Sequence, residues 1–130
     1  MNSRTADIRI KRVYDPPDKA DGTRVLVDRL WPRGLRKEKA AVTLWLKEIA
    51  PSTELREWFG HDPARWAEFG HRYRTELAHN DGAIAQLADL SKLVPLTLLY
   101  AAHDTEHNHA IVLSAYLSDH LKDGHGHHTA

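Results

Sequence analysis

The side chains able to do chemistry fall into two short stretches far apart in the chain. The first is "DRLWPRG", Asp28 to Gly34, followed by Lys37; residues 24–39 hold six Lys/Arg against two acids. An arginine fork grips phosphate or carboxylate through two parallel hydrogen bonds. Gly34, after Pro32 and Arg33, lets backbone N–H groups approach an anion closely. The chemistry indicated is anion binding through Arg29 and Arg33. The structural alternative is that both arginines pair with Asp28, Glu48 or Glu76 and stitch a loop to a helix. Trp31, held extended by the proline after it, either stacks on a planar ligand or closes the core.

The second stretch is "HDTEHNH", residues 103–109. His103 and His107 are four apart, the spacing at which one helical turn offers two imidazoles to a metal, and His109 is a third weak candidate. No H-E-x-x-H pattern or fourth ligand accompanies them, so the plainer expectation is no metal, with Asn108 and His109 serving as helix cap and hydrogen-bond donors. Asp28, Glu76, Asp104 and His109 are the candidates for acid/base work. Tyr73 and Arg56 are further candidate ligand contacts. No cofactor is specified: G-x-x-x-x-G-K-[ST] and G-x-G-x-x-G are both absent. Ser52 and Thr97 lie outside any G-x-S-x-G elbow. With no cysteine there is no disulfide, thiolate zinc site or cysteine nucleophile.

The elements that must position these residues follow from periodicity. Ile8 and Ile10 alternate with Arg9 and Lys11, a half-exposed strand, and Val25-Leu26-Val27 is a short buried one. Val42, Trp45, Leu46 and Ile49 recur at helical spacing. Ser52 caps a helix through Leu55, Trp58 and Phe59, and Asp62-Pro63 starts another through Trp66, Phe69, Tyr73 and Leu77. Asn80-Asp81-Gly82 separates it from a helix carrying Ile84, Leu87 and Leu90. "PLTLLYAA", Pro95 to Ala102, is apolar without alternation, as in a strand covered on both faces. "HAIVLSAYLSDHL" is a deep-lying helix.

This order predicts an α/β fold: a single small three-layer domain over residues 1–122, with a largely parallel sheet covered by helices. The His-rich tail, 123–130, has no reason to be ordered. With Val25–Val27 and Leu96–Ala101 as parallel neighbours, the two polar stretches leave adjacent carboxyl ends, where open α/β sheets bind ligands. The charge is formally zero but uneven: residues 1–60 carry 13 Lys/Arg against 9 Asp/Glu, and the rest reverses the balance. That argues for a local basic site over general nucleic-acid coating. The N-terminus lacks the apolar core of a signal peptide and the longest apolar run is too short to cross a bilayer. The expected location is the cytoplasm, with no membrane partner.

Beyond these local readings, "KRVYDPPDKADGTRVLVDRLWPRGL", "WLKEIAPSTELREWFGHDP", "FGHRYRTEL" and "TLLYAAHDTEHNHAIVL" together resemble the YeaO-like family, a branch of domain of unknown function 488. The D-R-x-W-P-R-G block is the most specific part, and the likeness runs from about Ile8 to Leu121. The family pattern falls on Asp28, Arg29, Trp31, Arg33, Gly34 and Lys37, then on Arg56, Tyr73 and Glu76, then on Asp104, Asn108 and His109. His103 stands outside it. The resemblance implies a small bacterial cytoplasmic α/β protein and assigns no activity. The leading expectation is a domain that binds a small phosphate- or nucleotide-like anion at the carboxyl edge. The alternatives are a nucleic-acid-binding or regulatory module and a ligand-free interaction domain presenting Trp31 and Trp45.

Overall fold

The computed structural model describes the backbone of residues 7–92 and 95–127, and side chains in that range up to residue 122. Its centre is β4 (Leu96–Tyr100), in which all five residues are buried. The sheet order is β1-β4-β2-β3, with β1 Ile8–Arg12, β2 Thr23–Leu26 and β3 Leu44–Trp45. Every pairing is parallel, from Ile8↔Leu96 through Thr23↔Leu96 to Leu26↔Trp45. β2 and β4 are therefore the expected parallel neighbours, and the N–H of Val27 extends their ladder to the Leu99 carbonyl at 3.1 Å.

Because strand side chains alternate, the central strands feed two separate cores. Val25, Val27, Leu96, Leu98 and Tyr100 face α2 (Thr53–Phe59), α3 (Trp66–Ala78), α4 (Asp81–Leu90) and α5 (His109–His127). Fully burying one Leu or Phe contributes roughly 1.5–3 kcal/mol, so this face holds most of the hydrophobic stabilisation. The opposite face is smaller: Val13, Leu26 and Leu99 are covered by Trp31, Leu35, Val42 and Trp45. The third layer is thus an irregular segment containing only the four-residue α1 (Lys37–Ala40).

Helical spacing misleads in one place. Val42, Trp45, Leu46 and Ile49 do not share a helix; they span β3 and a 3-10 turn over Lys47–Ile49. Val42 and Trp45 pack on the second core while Leu46 and Ile49 pack on the first. The spacing records a chain crossing the sheet edge, held there by Leu46 N–H to Leu26 O at 2.9 Å. The expected caps form: Ser52 accepts from Leu55 N–H and Asp62 from Ala64 N–H. Asp62-Pro63 opens a 3-10 turn that leads into α3. α5 continues to His127, through 123–127 where a tail without order is expected; residues 128–130 and the tail's histidine side chains lie outside the description.

At the amino end of β2, buried charges are closed off. Asp21 pairs with Arg24 and with Lys11 at 3.1 Å, and it also accepts from Asp18 N–H. Arg24 spends its remaining donors on the carbonyls of Ala41 and Ala40, at 3.0 and 2.8 Å. Gly22 has φ 67°, and a Cβ there would lie 2.2 Å from the Pro95 carbonyl oxygen. Only glycine allows the chain to pass so close on its way into β2.

Candidate functional site

The carboxyl ends of β2 and β4 open into a cavity of about 410 Å³. After β2, Asp28, Arg29 and Leu30 line it; after β4, Ala101 and Ala102 do; and the approach to α5 adds His107, Asn108 and His109. The two polar stretches, some seventy residues apart, therefore meet. Their junction is bonded: Ala101 N–H donates to Asp28 Oδ2 at 3.2 Å, and His109 Nε2 lies 3.0 Å from the Val27 carbonyl.

Each imidazole here has a distinct task. His109 Nε2 is also 3.1 Å from Asp28 Oδ1, but its better-aligned contact is the Val27 carbonyl, which leaves that carboxylate oxygen buried without a hydrogen bond. Both neighbours of Nε2 are acceptors, so that nitrogen carries the proton. His107 Nδ1 lies 3.0 Å from Asp104 Oδ2 and its ring stands perpendicular to Trp66 at 5.3 Å. Asp104 turns back on its own loop. The N–H of Glu106, and after it the ring and N–H of His107, hold its carboxyl below the ordinary value. His103 is exposed and outside the cavity. The three histidines do not converge, and among the described residues no three His, Asp or Glu are grouped to hold a metal.

Arg29 donates through Nη2 to the Ala50 and Pro51 carbonyls at 3.1 and 3.3 Å, while its Nε is buried with no partner. It thus stitches to backbone carbonyls; neither it nor Arg33 is within 4.0 Å of a described carboxylate. Arg56, on α2, lines the cavity beside Glu57 and Phe59. Asn108 caps α5, accepting from Ile111 N–H at 3.1 Å and donating to the Asp104 carbonyl at 3.0 Å.

Other sequence candidates stand elsewhere. Arg33 is exposed and does not line the cavity: the turn from Pro32 to Leu35 carries it away, and Tyr14 donates to its carbonyl at 2.9 Å. Gly34 has φ 74°, but a Cβ there would meet only open space, so the glycine serves the turn and no close approach. Lys37 sits exposed on α1. Trp31 closes the second core, with its N–H on the Leu35 carbonyl at 2.7 Å and its ring edge-on to Trp45 at 5.5 Å. Trp45 is likewise tied, donating to the Asp28 carbonyl at 2.8 Å. The two indoles are packed against each other, which removes the free aromatic face expected of an interaction domain.

Tyr73 and Glu76 support the site from below. Tyr73 is fully buried, its hydroxyl donates to the Ile49 carbonyl at 2.7 Å, and burial raises its phenol far above the ordinary value. Glu76 accepts from both the N–H and hydroxyl of Ser52 at 2.8 and 2.6 Å, fixing the start of α2. Neither reaches the cavity.

Sequence reasoning missed the apolar wall, Phe59 and Phe69, whose rings stack 4.4 Å apart, and it missed His61. His61 has φ 58°, uncommon for a residue with a side chain, and follows the left-handed Gly60. The cue was the break "FGHDP" between two helices. The lining holds no Ser, Thr, Cys, Lys or Tyr, so the cavity offers no hydroxyl, thiol or amine nucleophile. It offers cations, imidazoles, two carboxylates and an apolar wall.

Comparison with known proteins agrees with the family resemblance of the sequence. Residues 7–130 match the family described as the Inactive DUF488-N3 subclade. The chain is 50% identical over 111 residues to Uncharacterized protein YeaO of Escherichia coli (strain K12), covering 85% of this chain and 96% of the relative. It is 44% identical over 115 residues to Uncharacterized protein Rv3073c of Mycobacterium tuberculosis (strain ATCC 25618 / H37Rv), covering 88% and 97%. Uncharacterized protein Mb3100c of Mycobacterium bovis (strain ATCC BAA-935 / AF2122/97) matches to the same extent. No solved structure matches the chain. No helix among the described residues is long and apolar enough to cross a membrane. The chain belongs to the YeaO-like group of domain of unknown function 488, within the subclade described as inactive.

Proposed function

We propose that this domain binds, without transforming, a small ligand that carries a phosphate-like anionic group, in the cavity at the carboxyl edge of the sheet. The observation that carries this reading is the pair Arg29 and Arg56. Both line the cavity, neither is ion-paired among the described residues, and Arg29 keeps a buried Nε without a partner. A buried donor left unbonded costs about 1–3 kcal/mol, and an anion oxygen would offset that cost. Phe59 and Phe69 supply an apolar wall for a planar remainder, which favours a nucleotide-like compound over bare phosphate.

Binding without reaction is supported by how the acid/base candidates are used. Glu76 holds Ser52, the cap of α2, Asp104 is spent on its own loop and His107, and His109 is anchored on Val27. The family's description as inactive agrees.

The test is a thermal-shift titration of the full chain with phosphate, sulfate and nucleoside monophosphates. Ligand at one hundred times its dissociation constant adds about 2.7 kcal/mol of stability. Arg56→Ala should weaken the response at least tenfold while leaving the fold intact. No anion response at any concentration, or an unchanged one in both Arg56→Ala and Arg29→Leu, would overturn the assignment.

A further inference from the structure

Ion pairing divides the cations of this protein into two groups. Arg9, Lys11, Arg24, Arg65, Arg72, Arg74 and Lys92 each have a carboxylate within 4.0 Å. Among the described residues Arg33, Arg36, Lys37, Lys39 and Lys47 have none within that distance, and all five come from residues 29–47, where six Lys/Arg meet the single acid Glu38. Arg12, Lys19, Arg29 and Arg56 also lack one, but Arg12 and Lys19 lie outside this segment, and Arg29 and Arg56 line the cavity. That segment is the thin third layer over the sheet face that lacks long helices.

Aromatic rings are interleaved with these charges. The Arg12 guanidinium lies over the Tyr14 ring at 5.1 Å, and the Tyr14 hydroxyl holds the Arg33 carbonyl. Lys47 Nζ sits 4.7 Å from the Trp45 ring centroid, and Trp45 meets Trp31 edge-on. Tyr14 is 43% exposed, so its ring is partly open to solvent. Cations without carboxylate partners beside the partly exposed Tyr14 ring match a chain of phosphates and bases: the charges follow the backbone and the Tyr14 ring accepts a stacked base, while Trp31 and Trp45 stay packed beneath. A bilayer fits less well, because beyond Tyr14 the large exposed apolar side chain among the described residues is Leu30 alone. A groove-reading helix is absent as well, since α1 is a single turn, which favours a flexible single strand bound with little sequence preference.

We infer that the loop-covered face, from Arg12 and Tyr14 across Arg33 and α1 to Lys47, is a docking surface for single-stranded nucleic acid. It is separate from the carboxyl-edge cavity, which none of these residues lines. The overall neutrality of the chain does not oppose it, because Arg33, Arg36, Lys37, Lys39 and Lys47 are gathered in one segment with Glu38 as its single acid.

The experiment is fluorescence anisotropy of a labelled oligothymidylate titrated with the full chain at several salt concentrations. The expected result is binding at low salt whose log affinity falls linearly with log salt. The triple variant Arg36→Ala, Lys37→Ala, Lys39→Ala alters exposed side chains, and circular dichroism checks that it stays folded. It should flatten the salt slope by about 2, from three phosphate contacts at about 0.7 each. Tyr14→Ser should weaken binding about tenfold with the slope unchanged, the signature of lost stacking. Absence of binding at low salt, or an unaltered slope in the folded triple variant, would overturn the assignment. So would equal or tighter binding of duplex DNA, polyglutamate or phosphatidylserine vesicles. Failure here leaves the cavity reading untouched, since its ligands are titrated separately.

Discussion

Two arginine–aspartate neighbourhoods flank β2, and they are built to opposite ends. At its amino end Asp21 and Arg24 are almost wholly buried, and Arg24 finds a partner for each of its nitrogens. At its carboxyl end Asp28 and Arg29 keep an oxygen and an Nε buried without a hydrogen bond. A closed network of charges specifies how chain segments join. An open one retains unspent hydrogen-bonding capacity, which a ligand can take up. The difference separates a structural clasp from the proposed binding edge more clearly than residue type does.

The largest expected effect tests the clasp. Arg24→Leu leaves the buried Asp21 carboxylate with Lys11 as its remaining cation and the Ala40 and Ala41 carbonyls without Arg24, and should lower unfolding stability by about 3 kcal/mol in urea titration. A loss below about 1 kcal/mol would show that the clasp contributes nothing special. Acid is the second probe. Burial pushes the Asp21 carboxyl up, but bonds from Lys11, the Asp18 N–H and Arg24 outweigh it and leave the group below its ordinary value. A depressed carboxyl stabilises fully above the unfolded value, near pH 4, and that contribution disappears as pH falls through the lower folded one. Stability measured below pH 4 should therefore fall with acid in the natural chain and fall less in Arg24→Leu.

The proposed binding edge should be cheaper to disturb. Arg29→Leu forfeits bonds to the Ala50 and Pro51 carbonyls, about 1.5 kcal/mol by urea titration, and abolishes stabilisation by phosphate. Arg56→Ala is the smallest change to the fold, within about 0.5 kcal/mol, yet it should cost most of the anion response. If Arg56→Ala proved as destabilising as Arg24→Leu, the contrast between clasp and edge would collapse.

Much of the frame was legible. The unbroken apolar run at β4 announced a strand buried on both faces, and its pairing with β2 followed from α/β order. Ser52, Asp62 and Asn108 cap because their side chains bond N–H groups two or three residues on, which needs nothing from the rest of the chain. β3 was not legible: two residues become a strand only because Val25 and Leu26 lie beside them. For the same reason Arg29 and Arg33, four apart and alike in type, part company. One stays at the cavity, while the Pro32–Leu35 turn and the Tyr14 hydroxyl take the other to the opposite face.

The sequence by itself determined the elements, their caps and the two polar stretches at neighbouring strand ends, because those depend on local torsions and on the alternation of apolar residues. Only the tertiary structure decided which charges are spent. Partners for Asp28, Arg29, Glu76 and Arg24 come from well outside their own segments, Ala101 lying 73 positions from Asp28. Whether a buried polar atom is satisfied is settled by what the folded chain brings within about 3 Å of it.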